Sequence, residues 1–288
     1  AKLEAPSTPK LTTSILVPPG SVTPRLLRMA DLPQHLTIAT SPVAATANQV
    51  VADHYRITVL TSRLLRLEYS PTGRFEDRAT QLALHRDLGP VDFRVVRDAA
   101  GLHLFTGALV LDYDEKPFSS SGLTVRLAGG PGYHSEWRYG VRFRPDNWQP
   151  GNLGGTARTL DGIDGALPLE DGLISSTGYA VLEDTSLPLT PDGWVAPRIE
   201  GNTDLYYFGY GWDAADAVRD FYRLAGPQPL LPRWALGNWW SRYHAYTAAG
   251  YTELVERFEA ERLPFSVAVV DMDWHKVDID PKYGHGWT

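Results

Sequence analysis

The 288-residue chain contains no cysteine, which excludes disulfides, thiolate zinc sites, iron–sulfur clusters and a cysteine nucleophile. It also lacks an excess of positive charge: 27 Lys and Arg stand against 34 Asp and Glu, a net charge of -7. A nucleic-acid partner ordinarily needs a basic face, so none is expected. Long apolar runs are missing as well. Stretches such as Val267 to Val270 fall far short of the ~20 residues of a membrane-spanning helix, so no membrane role is expected. No charged segment followed by an apolar one opens the chain, so no signal peptide is visible. That leans towards the cytoplasm. A first residue of Ala1 rather than Met also fits a trimmed terminus, so the compartment stays open.

What is present reads as ordinary globular protein, with 43% apolar and 21% charged residues, and the length suggests two domains. Residues 1–45 are rich in Pro, Thr and Ser and read as an extended arm, with Ser14 to Gly20 able to pair at a sheet edge. Residues 46–232 then carry strand after strand. His54 to Leu60 alternates with period two; Arg63 to Tyr69, Phe93 to Val96, Leu102 to Phe105 and Ala108 to Tyr113 follow. Turn signals separate these runs, at Pro71-Thr-Gly73, Asp98-Ala-Ala-Gly101, Asp114 to Pro117 and Ser121-Gly122. Short strands punctuated in this way suggest an antiparallel β-sandwich. Residues 149–178 read as a long Gly-rich loop. A helix capped by Asp213 runs through Ala217, Val218, Phe221, Tyr222 and Leu224 to Gly226-Pro227, and Pro227 to Pro232 is a linker.

Residues 233–288 read as the start of a parallel α/β domain. Trp234 to Trp240 is a mostly apolar run. Thr247 caps a helix whose apolar face is Tyr251, Leu254, Val255 and Phe258, and Pro264 ends it. Phe265 to Asp273 is a β-rich run, apolar on both faces as far as Val270, as expected of a strand buried on both sides. Two parallel strands cannot bury themselves, so this domain is expected to be completed by something else.

The sharpest chemical feature is Asp271-Met-Asp-Trp-His275. Asp271 and Asp273 share one side of the strand, with Val267 and Val269 below them. They lie at its C-terminal end, where parallel sheets and barrels place ligand sites. A carboxylate pair there can hold sugar hydroxyls, bind a cation or do acid–base work; it equally fits acids that cap the following turn. A calcium loop starting at Asp271 fails, because Lys276 and Lys282 stand where glycine and a bidentate glutamate are needed, so no metal is expected. Five of the nine tryptophans, Trp234, Trp239, Trp240, Trp274 and Trp287, crowd this last segment, joined by Tyr243, His244 and Tyr246. Flat aromatic faces beside carboxylates suit carbohydrate. Trp234 is expected in the core and Trp274 on a pocket wall. In the Gly151 to Gly162 loop, Arg158 and Asp161 are in reach of a ligand if the loop folds over the site. No G-x-G-x-x-G, Gly-Lys-Ser/Thr, G-x-S-x-G or His-Glu-x-x-His motif accompanies these features, and no cofactor is expected.

Taken together, Pro232-Arg-Trp-Ala-Leu-Gly-Asn-Trp-Trp-Ser-Arg-Tyr243, Leu263-Pro-Phe265 and Asp271 to His275 resemble glycoside hydrolase family 31, which includes α-glucosidases, α-xylosidases and α-transglucosylases. Gly151 to Gly162, Leu167 to Val181 and Tyr206 to Gly209 add to the resemblance, which covers roughly residues 50–288 and leaves the first 45 aside. It implies a mutarotase-like antiparallel β-sandwich followed by the first β-α-β unit of a (β/α)8 barrel that is incomplete in this chain. It implies a sugar subsite at the non-reducing end lined by Tyr243, Asp271 and Met272, with Asp161 as the acidic residue from the N-terminal loop.

The family's nucleophile and acid/base are aspartates on later barrel strands, so no catalytic residue is assigned in these 288. The expected function is the N-terminal part of a retaining glycosidase acting on an α-glucoside or α-linked gluco-oligosaccharide, by hydrolysis or transglucosylation. A second polypeptide would complete the barrel. The rival reading is a non-catalytic carbohydrate-binding or scaffold sandwich.

Overall fold

A computed structural model describes residues 37–129, 135–141, 161–167, 169–228, 230–271, 280 and 282. The chain divides into two compact units, residues 1–226 and 227–288.

The first unit is built on two five-stranded antiparallel sheets. One runs in the order β1 (Gln49–Val51), β2 (Tyr55–Thr61), β3 (Leu64–Tyr69), β10 (Thr203–Gly209), β9 (Tyr179–Glu183). The other runs β4 (Arg94–Asp98), β5 (Gly101–Phe105), β6 (Leu109–Tyr113), β7 (Leu123–Leu127), β8 (Glu136–Arg138). Ser14 to Gly20 lies outside the described residues. The first sheet's long-range partner, β10, sits between β3 and β9 and pairs Leu205 with Leu67 and Glu183.

Period-two alternation decides the layers. Tyr55, Ile57 and Val59 of β2, Leu65 and Leu67 of β3, and Leu205 and Tyr207 of β10 face Leu102, Leu104, Leu109, Leu111, Leu123, Val125 and Trp137 of the second sheet, forming one core. The opposite face of the first sheet is also covered. Leu60, Leu64, Tyr206 and Phe208 pack with Ala217 and Leu224 of helix α1 (Ala214–Ala225) and with Ala44 and Ala83. β2 is consequently buried along nearly its whole length, and the alternation separates two cores rather than a core and a solvent face.

The rest of that outer face is ionic. Arg56 pairs with Glu68, Arg66 with Glu68 and Asp204, and Arg198 with Asp204 and Asp184. Arg86, 1% exposed, donates to the Tyr206 hydroxyl at 2.7 Å and to the carbonyls of Pro42 and Arg78. Buried charges are tolerated only when paired and hydrogen-bonded, and each of these has a partner, although Arg86 Nη2 makes no hydrogen bond and meets Asp184 Oδ2 only at 3.9 Å.

Helix α1 forms as expected and stops at Gly226, but Asp213 does not cap it. Its carboxylate turns aside to Arg63, an ion pair across 150 residues of sequence that the local pattern does not reveal.

The second unit holds a parallel strand pair, β11 (Trp239–Trp240) with β12 (Val267–Ala268), joined by helix α2 (Ala248–Ala260). Thr247 caps α2 as expected, its hydroxyl oxygen accepting from Gly250 N at 3.1 Å. Both strands are much shorter than expected. Arg233–Leu236 is a 3-10 turn rather than strand, entered through Pro232, whose φ of -56° suits the turn. It closes through Gly237, where a Cβ would meet Ser266 Oγ at 1.9 Å. Trp234 is therefore not core: it is 55% exposed on that turn and stacks obliquely on Trp239. Nor is the 265–271 run buried on both sides. Phe265, Val267, Val269 and Asp271 are half-buried and alternate with exposed neighbours, because among the described residues only one face of the strand pair is covered, by α2.

Candidate active site

The strand ends of the second unit gather the candidate residues. Ser266 N and Val269 N bond the carbonyls of Asn238 and Trp240 at 2.8 and 2.9 Å, which fixes the parallel register. The α2 side of the pair is held by rings: Trp240 meets Phe258 edge-on at 4.9 Å, and Phe258 meets Phe265 at 5.3 Å. With register and helix set, the chain leaves β11 at Ser241 and β12 at Val269 on the same, C-terminal end. There the Ser241 hydroxyl donates to Asp271 Oδ2 at 3.3 Å. Asp271 shares its side with Val267 and Val269, as the alternation implies.

Tyr243, 65% exposed, follows on the loop after β11. Its neighbours on that loop are ordered by aromatic contacts. His244 and Tyr246 meet edge-on at 4.5 Å, and Tyr246 meets Tyr251 of α2 at 5.2 Å. Tyr251 in turn donates its hydroxyl to the Val269 carbonyl at 2.7 Å, and burial raises its phenol above the ordinary value, so it remains a proton donor. A half-buried carboxylate beside a hydroxyl, at the carboxyl ends of parallel strands and near an exposed tyrosine, can hold sugar hydroxyls.

The strand end thus brings Asp271 and the Tyr243 loop to one place. Met272 and Trp274 lie outside the described residues, as do Asp273, His275 and Arg158. Asp161 belongs to the first unit, on an exposed turn before Gly162. Ser241 and the Tyr251 hydroxyl were not singled out by sequence. Tyr251 read as one more apolar position on α2, and only the parallel register reveals what its hydroxyl meets.

An open hollow of about 400 Å³ whose lining includes Val255, Phe258, Arg262, Leu263, Phe265 and a single carboxylate, Glu259, occupies the other end of the unit, where α2 ends and β12 begins. It has no carboxylate pair and lies away from the strand ends, so it is not the candidate site.

A β-sandwich followed by a parallel β-α-β unit with a carboxylate at its strand ends defines the class: a sandwich joined to a barrel-type α/β domain. Residues 228–286 match the TIM-barrel domain of glycosyl hydrolases family 31. The α-xylosidase of Saccharolobus solfataricus is 31% identical over 103 residues, covering 34% of this chain and 14% of that protein. Alpha-glucosidase 2 of Bacillus thermoamyloliquefaciens is 32% identical over 75 residues, covering 26% of this chain and 10% of that protein. Among solved structures, a family 31 dextranase of Flavobacterium johnsoniae complexed with glucose superposes with a TM-score of 0.50 at 15% identity, over 83% of this chain and 34% of that one. The chain spans only a small part of the length of each of these relatives.

Proposed function

We propose that these residues form the N-terminal part of a retaining α-glycosidase that takes α-glucosides from the non-reducing end, by hydrolysis or transglucosylation. The observation that carries this reading is the position of Asp271: on the family-matched segment, at the C-terminal end of a parallel strand, bonded by Ser241 from the strand beside it. We assign Asp271 and Tyr243 to the subsite of the terminal sugar, and Met272, Trp274 and Asp161 as further substrate-binding residues. Asp271 binds a sugar hydroxyl and is not the nucleophile. The nucleophile and the acid/base, two carboxyl groups about 5–5.5 Å apart in a retaining enzyme, come from further barrel strands outside these 288 residues.

Among the described residues, the exposed Trp234, Leu236 and Trp239 and the uncovered face of β12 fit a surface that further strands of a barrel would cover. Co-expression of residues 1–288 with a polypeptide carrying the remaining strands of a family 31 barrel, assayed for nitrophenol release from aryl α-glucoside and α-xyloside, tests the reading. A co-purifying, active complex is expected. Sugar binding with no turnover by such a complex would support a non-catalytic carbohydrate-binding protein instead.

A further inference from the structure

The β11–β12 ladder is short, and among the described residues its final bond is the one from Val269 N to the Trp240 carbonyl. Asp271 lies two residues further along the chain. What reaches across to hold the strand end is a helix side chain. Tyr251, in the first turn of α2, donates its hydroxyl to the Val269 carbonyl at 2.7 Å. The same ring lies against Tyr246 at 5.2 Å, and Tyr246 against His244 at 4.5 Å, so it also holds the loop that carries Tyr243. The first turn of α2 is itself fixed, by the Thr247 cap and by the Tyr251 N bond to the Thr247 carbonyl at 2.9 Å.

We infer that Tyr251 is a positioning residue for the sugar subsite, one side chain that sets the Asp271 strand tip and the Tyr243 loop relative to each other. This rests on the proposed role of Asp271. The physical ground is that a group binding a sugar hydroxyl must be held in geometry by residues around it, and small displacements of such a group weaken binding steeply. The Tyr251 hydroxyl is suited to this because its bond is to backbone: it fixes the path of the strand without itself engaging the Asp271 carboxylate.

The test uses the complete catalytic complex. Tyr251→Phe keeps the ring against Tyr246 and removes only the hydroxyl. Val255→Ala on the same helix is the control for loosened packing. Two readouts are compared: amide hydrogen exchange over residues 263–271, and KM against kcat on an aryl α-glycoside. Tyr251→Phe is expected to speed exchange at Val270 and Asp271 and to raise KM by about fivefold, as loss of one hydrogen bond implies, with kcat within about twofold, as expected where ground-state and transition-state binding fall together. Val255→Ala should leave KM unchanged.

Unchanged exchange in Tyr251→Phe, or faster exchange with an unchanged KM, would overturn the inference. So would a KM increase that Val255→Ala reproduces. Asp271→Asn is run alongside: if it turns over like the unaltered enzyme, the sugar-subsite reading itself fails, and the inference fails with it. If Asp271→Asn is impaired and Tyr251→Phe is not, only the role of Tyr251 is refuted.

Discussion

Arg66 on β3 grips Asp204 on β10 through two parallel contacts, Nε to Oδ1 and Nη2 to Oδ2, both 2.8 Å. The pair joins residues 138 apart in sequence and is sealed from solvent beneath the segments that contain Glu76 and Arg198. It ties the β10 strand, which leads into α1 and then into the second unit, to the centre of the sandwich. Removing one partner of such a buried pair leaves an uncompensated charge. Asp204→Asn is expected to destabilise the first unit by about 3 kcal/mol, measured by urea denaturation of the chain.

The same pair sets an acid limit. Burial alone would raise the Asp204 carboxyl, but Arg66, with Arg86 and Arg198 behind it, overrides this and holds it below its ordinary value. A carboxylate depressed in the folded state contributes stability that is present above its unfolded value, near about 4, and is lost as pH falls through the lower folded value. Glu76, held down by Arg78 against a raising effect of burial, acts in the same direction. Melting temperature followed from pH 7 downward should fall through the acid range, and Asp204→Asn should flatten that limb. A limb of equal slope in the variant would refute the assignment.

Gly101 closes the β4–β5 turn at φ +130°, and a Cβ there would meet the Tyr113 carbonyl oxygen at 2.1 Å. Both the backbone region and the space demand glycine. Gly101→Ala is expected to destabilise the sandwich by roughly 1–3 kcal/mol, read from the shift in denaturation midpoint. Substitution at Gly107, where a Cβ meets nothing within 4 Å, isolates the backbone strain from the collision.

In the second unit, Thr247→Ala removes the acceptor for Gly250 N and should weaken α2 by about 1 kcal/mol. Because Tyr251 sits in that first turn, faster hydrogen exchange is expected at both residues 248–251 and the 266–271 strand. Fraying confined to the helix would separate the cap from the strand end.

The sandwich was legible because its turns announce themselves. Asp98 to Gly101 and Asp114 to Pro117 fall at the ends of strands, and the alternation from Tyr55 to Leu60 assigns side chains to faces correctly. The ionic layer was not legible. Arg56, Arg66, Glu68 and Asp204 occupy positions that in any alternating strand read as solvent-facing, and only segments distant in sequence bury them. Strand lengths in the second unit were overestimated for a related reason. The apolar runs at 234–240 and 265–273 match buried strands, but a strand is defined by its ladder, and the turn between Pro232 and Gly237 leaves only Trp239 and Trp240 to pair. The position of Asp271 was readable from side-chain alternation. Its contact with Ser241 depended on the register, which the sequence pattern did not contain.

The most direct test of the sugar-binding role is the kcat/KM of Asp271→Asn in the complete enzyme, on aryl α-glucoside and α-xyloside. Loss of a hydrogen bond to a charged group predicts a fall of about 10- to 100-fold with the melting temperature unchanged. Unaltered kinetics on both substrates would contradict it.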